Sequence, residues 1–228
     1  MKTIGLIGGM SWESTAHYYR ILNQEAAARC GGLHSAPLLI HSLDFAPIAA
    51  MQAEGDWAGA GAILARSAAT LVAAGAEIVG LATNTMHIVA DTITADLGVP
   101  FIHIADPTSD ALLADGFERV GLLGTRFTME MGFYRERLEA RGLSVLVPDV
   151  DRTNLNAIIY EQLCRGIVTE PSRQTYLAAI ARLEARGAEA VILGCTEIGM
   201  LIDDSTSPLP VYDTTELHAK ALVTAALA

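Results

Sequence analysis

The chain has little that would bind a polyanion. Its 228 residues include 15 lysine and arginine residues against 26 aspartate and glutamate residues, which gives a formal net charge of −11. Because this excess of negative charge repels phosphate-rich surfaces, we expect no nucleic-acid partner and no membrane partner. An anionic small molecule would need local help, either from single arginines or from backbone N–H groups at helix starts.

Cysteine is scarce, and uninterrupted apolar runs are short. The 3 cysteines are an odd number without paired spacing, which indicates a reducing compartment and not a disulfide scaffold. No run reaches the roughly 18 apolar residues of a membrane span, and the N-terminal run is too short for a signal peptide. We therefore predict a cytoplasmic protein. Metal-ligand spacings and the dinucleotide fingerprint are also missing, so we expect no metal and no dinucleotide cofactor.

Short apolar runs are instead the dominant feature, and they alternate with longer alanine-rich segments of helical period. The runs read "TIGLIGG", "PLLIHSLDF", "EIVGLAT", "PFIHIAD", "RVGLLGT", "LSVLVPD", "AVILGCT" and "LPVYDTT". Strands that are buried on both faces have such continuous apolar sequences, and strand–helix alternation is typical of parallel sheets with helices on both sides. The sequence predicts an α/β fold with mainly parallel sheets.

An internal repeat divides this pattern into two halves. Residues 73–86, "AAGAEIVGLATNTM", align with residues 185–198, "ARGAEAVILGCTEI", with 6 identities in 14 positions. In this register Thr83 aligns with Cys195. Weaker similarities, such as "IGLIGG" with "VGLLGT", follow in the same order at nearly the same offset, and an ordered series of this kind indicates a duplicated unit.

We therefore predict two pseudo-symmetric lobes. Lobe 1 is expected to contain residues 1–103 and 211–228, and lobe 2 is expected to contain residues 104–210. Ligands of open α/β sheets bind beyond the carboxyl ends of the strands. Because Thr83 and Cys195 both follow a predicted strand, the sequence predicts an active site in the cleft between the lobes, with these residues on opposite sides.

Six motifs in order also resemble a known family. They are "GLIGGMSWEST", "TNTMH", "HIAD", "LLGTRFTME", "YEQLCRG" and "GCTEIG". Together they are similar to the cofactor-independent aspartate/glutamate racemases. The resemblance implies two α/β lobes, a homodimer, no pyridoxal phosphate and one cysteine from each lobe as the acid/base pair.

The chain departs from that family at the first cysteine, where it has Thr83. A thiol has a pKa of about 8.5, and a helix N-terminus or a nearby cation lowers it, so we expect Cys195 to act as a thiolate base. A threonine hydroxyl makes a poor base but can deliver a proton to a carbanion. We predict that Cys195 removes the α-proton of L-aspartate and/or L-glutamate and that reprotonation occurs on the Thr83 side, which favours the L to D direction without moving the equilibrium.

The resemblance also implies a substrate pocket and a second-shell residue. The expected substrate-binding residues are Met10, Gln52, Asn84, Thr85, Thr125, Thr128, Arg165 and Thr196. Arg165 is the candidate for the substrate's side-chain carboxylate, and Glu197 is expected to orient or tune Cys195. The choice between aspartate and glutamate stays open at this stage.

Two other functions remain compatible with the sequence. One is a cofactor-independent decarboxylase of a malonate-like diacid, for which a single cysteine suffices. The other is a non-catalytic amino-acid-binding protein that has lost its first cysteine. At single positions, Thr83 either relays a proton or merely caps the following helix, and for His87 we expect a structural role in which a backbone carbonyl holds the imidazole.

Overall fold

Eight parallel strands form two separate four-stranded sheets in the computed structural model, which describes residues 1–228. The chain divides into two compact units. The first unit contains residues 1–104 and 218–228, and the second contains residues 105–217. No helix combines the length and the apolar character that a membrane crossing requires.

The first unit has the strand order β2-β1-β3-β4. Its elements are β1 Ile4–Gly8, α1 Trp12–Cys30, β2 Leu38–Ser42, α2 Phe45–Glu54, α3 Trp57–Ala73, β3 Ile78–Leu81, a 3-10 helix Thr85–Val89, α4 Ala90–Thr94 and β4 Phe101–Ile102. The two central strands, β1 and β3, are buried along their whole length, as the continuous apolar runs predict.

The second unit has the strand order β6-β5-β7-β8. Its elements are α5 Ala105–Ala114, β5 Arg119–Gly124, α6 Arg126–Glu130, α7 Gly132–Glu139, β6 Ser144–Leu146, α8 Arg152–Glu161, a 3-10 helix Leu163–Arg165, α9 Glu170–Ala185, β7 Ala190–Gly194, a 3-10 helix Ile198–Met200 and β8 Val211–Asp213. The last helix, α10 Thr214–Leu227, begins in the second unit and continues into the first. Strand β7 is buried throughout and pairs with β5 and β8.

The two sheets repeat one strand order. If β5, β6, β7 and β8 are matched with β1, β2, β3 and β4, the orders become identical. Strands β3 and β7 therefore occupy equivalent central positions, which is the register in which Thr83 aligns with Cys195. The prediction of an α/β fold with two similar lobes of parallel strands and flanking helices is confirmed.

The division of the chain differs from the predicted one at residue 104, which belongs to the first unit, and over residues 211–217. We expected residues 211–217 in the first lobe, but β8 pairs with β7. The first residue of α10 belongs to the second unit as well, because the Thr214 hydroxyl donates to the Leu193 carbonyl at 2.8 Å. From His218 onward α10 belongs to the first unit, where the His218 ring bonds the Ile102 carbonyl through Nε2 at 2.8 Å.

Candidate active site

Five predicted site residues of the first unit are buried. They are Met10, Gln52, Thr83, Asn84 and Thr85, each at most 7% exposed, and all but Gln52 lie in the segments that follow β1 and β3. The amide of Gln52 in α2 donates to the sulfur of Met86 at 3.0 Å, which links α2 to the 3-10 helix after β3. The first unit therefore brings these five predicted residues to the edge of the sheet where ligands of α/β folds bind.

The turn after β1 positions Met10. Gly9 has a φ of +88°, and its N–H donates to the Thr15 hydroxyl at 2.7 Å. A Cβ atom at this glycine would lie 2.1 Å from the Leu43 carbonyl oxygen. Only glycine satisfies both the positive φ and the close approach, so the "GG" of this motif is required by the turn.

Thr83 is held by its main chain. Its N–H donates to the Leu81 carbonyl at 2.9 Å, and its own carbonyl bonds His87 Nδ1 at 2.8 Å. Asn84, and not Thr83, occupies the position that precedes the 3-10 helix, and no side-chain hydrogen bond caps that helix. The capping role considered for Thr83 therefore has no counterpart in the structure, whereas His87 is held by a backbone carbonyl as expected.

In the second unit, the loop after β7 contains Cys195, Thr196 and Glu197, all at most 6% exposed. Cys195 Sγ lies 2.9 Å from Glu197 Oε2, and the Thr196 hydroxyl donates to the same carboxylate oxygen at 2.8 Å. Thiols and hydroxyls both act as donors toward an ionised carboxylate. The Cys195 proton is therefore directed at Glu197.

This geometry raises the pKa of the Cys195 thiol well above its usual value. Burial of the thiol is the largest cause, because the interior penalises the charged thiolate, and the negative charge of Glu197 adds to it. From the sequence we expected a helix N-terminus or a nearby cation to lower this pKa and to make a thiolate base accessible near neutral pH. The neighbour at hydrogen-bonding distance is instead an anion, and the helical segment that follows is a single short turn.

Cys164 is a residue that the sequence reasoning missed. Its Sγ lies 3.8 Å from Glu197 Oε1, so two thiols flank one carboxylate. Cys164 belongs to the same 3-10 helix as Arg165, whose side chain is exposed. This contact links the segment of Arg165 to the loop of Cys195. The sequence feature that could have identified Cys164 was its position next to Arg165 in the motif "YEQLCRG".

Thr125 and Thr128 lie at the end of β5, next to β7. The Thr125 hydroxyl accepts the Thr128 N–H at 3.2 Å and caps α6, and the two hydroxyl oxygens are 3.2 Å apart. A Cβ atom at Gly194 would lie 3.4 Å from Thr128 Cγ2, so Thr128 packs against the residue that precedes Cys195. The second unit thus gathers both threonines beside Cys195.

The N-termini of the helices in this site offer less positive charge to an anion than we expected. The segments after Asn84 and Thr196 begin 3-10 helices of 5 and 3 residues, and the segment after Thr125 begins a 5-residue helix. The macrodipole is a sum over aligned peptide units, so single turns provide little of it. The helix starts of this site therefore offer an anion little positive charge.

Comparison with known proteins adds an independent line of evidence. The model of the family described as Asp/Glu/Hydantoin racemase matches residues 7–222. A crystal structure of a Yersinia pestis protein assigned as an Asp/Glu racemase is 51% identical, with a TM-score of 0.91 and 100% of both chains covered. An aspartate racemase homologue from Pyrococcus horikoshii OT3 is 35% identical over 100% of both chains, with a TM-score of 0.86.

A curated relative extends the comparison to a characterised activity. The broad specificity amino-acid racemase RacX of Bacillus subtilis is 25% identical over 158 residues, which are 68% of this chain and 66% of that protein. The match thus spans just under two thirds of that relative's length. The family match covers nearly the whole chain and confirms the predicted family, which is one of racemases. The chain belongs to the Asp/Glu/Hydantoin racemase family.

Proposed function

We propose that the protein is a cofactor-independent amino-acid racemase that acts on L-aspartate and/or L-glutamate. The observation that supports this most directly is the buried Cys195 thiol, 2.9 Å from Glu197 Oε2, in a chain of the racemase family. Racemisation needs a group that removes an α-proton and a group that returns one to the opposite face. Cys195 takes the first role, and Thr83 takes the second.

Glu197 makes the thiolate when it is needed. Its Oε2 accepts the Cys195 proton, which leaves a neutral carboxyl group beside a thiolate and creates no additional buried charge. This transfer matters because the raised pKa of Cys195 leaves little thiolate at neutral pH. The Cys195 thiolate then takes the α-proton of the L-enantiomer, and the bonding electrons pass to the α-carbon and its carboxylate.

Thr83 completes the inversion from the other side. Its hydroxyl gives its proton to the opposite face of the α-carbon and regains one from water. The neutral Glu197 carboxyl group then releases its proton to the hydroxide that remains, which restores the starting state. A carbanion is basic enough to accept a proton from such a weak acid, whereas a threonine is a poor base for the reverse step. The equal energies of the two enantiomers fix equal kcat/KM values in both directions, so the asymmetry appears in kcat and in the exchange of each enantiomer.

The substrate's carboxylates face an acidic protein and need local partners. The hydroxyls of Thr85, Thr125, Thr128 and Thr196, together with Asn84 and Gln52, provide hydrogen-bond partners for the ammonium group and the α-carboxylate, and Met10 packs against the carbon chain. Arg165 binds the side-chain carboxylate, since an exposed guanidinium offers paired donors to such a group. A homodimer and a cytoplasmic location stay predictions from the sequence.

The experiment that tests the proposal is α-proton exchange. The protein is incubated in D₂O with each enantiomer of aspartate and glutamate, and α-deuterium and chirality are followed by NMR and chiral chromatography. We expect deuterium to enter the L-enantiomer and the newly formed D-enantiomer. Binding without exchange would identify an amino-acid-binding protein, and carbon dioxide release from a disubstituted malonate would identify a decarboxylase. Either result would contradict the racemase proposal.

Glu197→Gln is predicted to move two measurements in opposite directions. The amide carries no charge, so the pKa of Cys195 falls and its alkylation by iodoacetamide at pH 7 becomes faster. The amide cannot take the thiol proton, so racemisation slows by about 10²-fold. Alkylation is followed by mass spectrometry of the Cys195 peptide, with the exposed Cys30 as an internal control. Unchanged racemisation would reduce Glu197 to an orienting residue.

A further inference from the structure

A buried histidine lies directly beneath Thr83. His87 belongs to the 3-10 helix Thr85–Val89 and is 2% exposed. Its Nδ1 is 2.8 Å from the Thr83 carbonyl oxygen, and the Ile104 N–H donates to its Nε2 at 3.2 Å. Both ring nitrogens therefore bond main-chain groups, one two residues after β3 ends at Leu81 and the other two residues after β4 ends at Ile102.

These two partners fix the protonation state of the ring. The Ile104 N–H is a donor, so Nε2 must be the acceptor. The single ring proton then resides on Nδ1 and is donated to the Thr83 carbonyl. A protonated imidazole would place a second N–H against the Ile104 N–H, so the neutral ring with its proton on Nδ1 is the form that fits.

The bond from His87 completes the constraint on Thr83. The Thr83 N–H is already bonded to the Leu81 carbonyl at 2.9 Å, and the preceding Ala82 N–H donates to the Ile7 carbonyl at 2.9 Å. With both main-chain groups of Thr83 held, the direction of its Cα–Cβ bond is set. Threonine is branched at Cβ and has few χ1 rotamers, so the position of its hydroxyl follows from the backbone.

Neighbouring rings hold the imidazole of His87 in place. The His103 ring packs edge-on at 4.4 Å between centroids, and the Phe101 ring lies at 5.6 Å. A leucine at position 87 would fill a comparable space but would leave the Thr83 carbonyl and the Ile104 N–H without this partner, which is costly for buried main-chain groups. The site therefore uses the two nitrogens of histidine and not only its volume.

We infer that His87 is a positioning residue for the reaction and that its Nδ1–H bond to the Thr83 carbonyl fixes the hydroxyl that reprotonates the α-carbon. The inference rests on the proposed function, because it gives Thr83 the role of proton donor. His87 touches neither substrate nor reacting atoms. It acts only through the main chain of Thr83.

Two substitutions separate the two bonds of the ring. In His87→Asn the amide nitrogen is as many bonds from Cα as Nδ1, so it can still donate to the Thr83 carbonyl. In His87→Gln the amide oxygen reaches the position of Nε2 and can still accept from the Ile104 N–H. Each variant keeps one contact and loses the other, so they are matched controls for each other. Thr83→Val shows the ratio of products in a protein without the hydroxyl.

The measurement is a ratio of products formed from the L-enantiomer in D₂O. Cys195 can return deuterium to the face it deprotonated, which gives α-deuterated L-enantiomer, whereas reprotonation from the Thr83 side gives D-enantiomer. General damage to the fold lowers both products together. We expect His87→Gln to lower the D to deuterated-L ratio about tenfold or more, because small misplacements of reacting groups are costly, and His87→Asn to stay within about twofold of the unmodified protein.

Equal ratios in His87→Asn and His87→Gln would overturn the inference while the unmodified protein still racemises. Absence of exchange in the unmodified protein would instead contradict the proposed function, so the two failures are distinguishable. Melting curves show whether the variants fold. Nitrogen-15 NMR of the histidine rings in the unmodified protein tests the inference without any substitution, because the proton of His87 must be on Nδ1, and a proton on Nε2 would refute it.

Discussion

Replacing Cys195 with alanine is expected to slow α-proton exchange from L-aspartate and L-glutamate by about 10²–10⁴-fold, the usual contribution of a positioned acid/base group. The variant removes the thiol that lies 2.9 Å from Glu197 Oε2 and leaves the carboxylate in place. Glu197 is farther along the loop and does not take over the proton. Both the deuterated L-enantiomer and the D-enantiomer should therefore disappear together.

The control for this variant is the same substitution at another cysteine. Cys30→Ala removes an exposed thiol at the end of α1 and should leave the exchange rate unchanged within about twofold, since surface substitutions away from the core and the active site have small effects. Exchange rates are measured by NMR in D₂O at equal protein concentration, and far-UV circular dichroism verifies that each variant is folded. A Cys195→Ala protein that exchanges the α-proton at the unmodified rate would remove Cys195 from the mechanism.

The architecture could be predicted from the sequence because its strands have continuous apolar sequences. The central strands β1, β3 and β7 are buried along their length, and the internal repeat placed β3 and β7 in equivalent positions. Residues 211–217 were harder to assign, since β8 contains only 3 residues. The sequence of so short a strand does not indicate which strand it pairs with, because its pairing with β7 depends on tertiary contacts.

The candidate site was predictable in part for the same reason. Thr83 and Cys195 follow predicted strands, so their location at the edge of the sheet where ligands bind could be inferred from position alone. The contact of Cys164 with Glu197 could not, because it joins residues 33 positions apart on different elements. The state of the Cys195 thiol was also out of reach, since its pKa depends on burial and on the side chain opposite the sulfur.

The contacts of His87 could not be predicted from the motif that contains it. The run "TNTMH" offers the histidine as a candidate acid or base, because an ordinary histidine titrates near neutral pH. The structure instead gives each nitrogen a main-chain partner. The motif contains the histidine, but Ile104, whose N–H donates to it, lies 17 residues further along the chain. Its chemical role therefore depends on a contact that no local pattern encodes.

Thr83→Cys is expected to give the site a second base and to raise α-deuterium incorporation into the D-enantiomer by about 10²-fold. In the proposed mechanism the α-proton of a D-amino acid faces the Thr83 side, where a hydroxyl would remove it slowly. A thiol ionises near pH 8.5 when unperturbed and is a far better base than a hydroxyl. The deuterium should enter the D-enantiomer before inversion, which initial rates by chiral analysis and NMR detect.

The gain should remain smaller than the activity of Cys195 with L-substrates. In the repeat that aligns Thr83 with Cys195, Thr85 stands where Glu197 stands. The new thiol therefore has no carboxylate two residues away to accept its proton, so its exchange of the D-enantiomer should stay slower than the exchange expected of Cys195 with the L-enantiomer. Thr83→Val is the matched control, because it keeps the shape and adds no base. If Thr83→Cys exchanged the D-enantiomer no faster than Thr83→Val, the side chain at position 83 would not face the α-carbon, and the two-sided mechanism would be wrong.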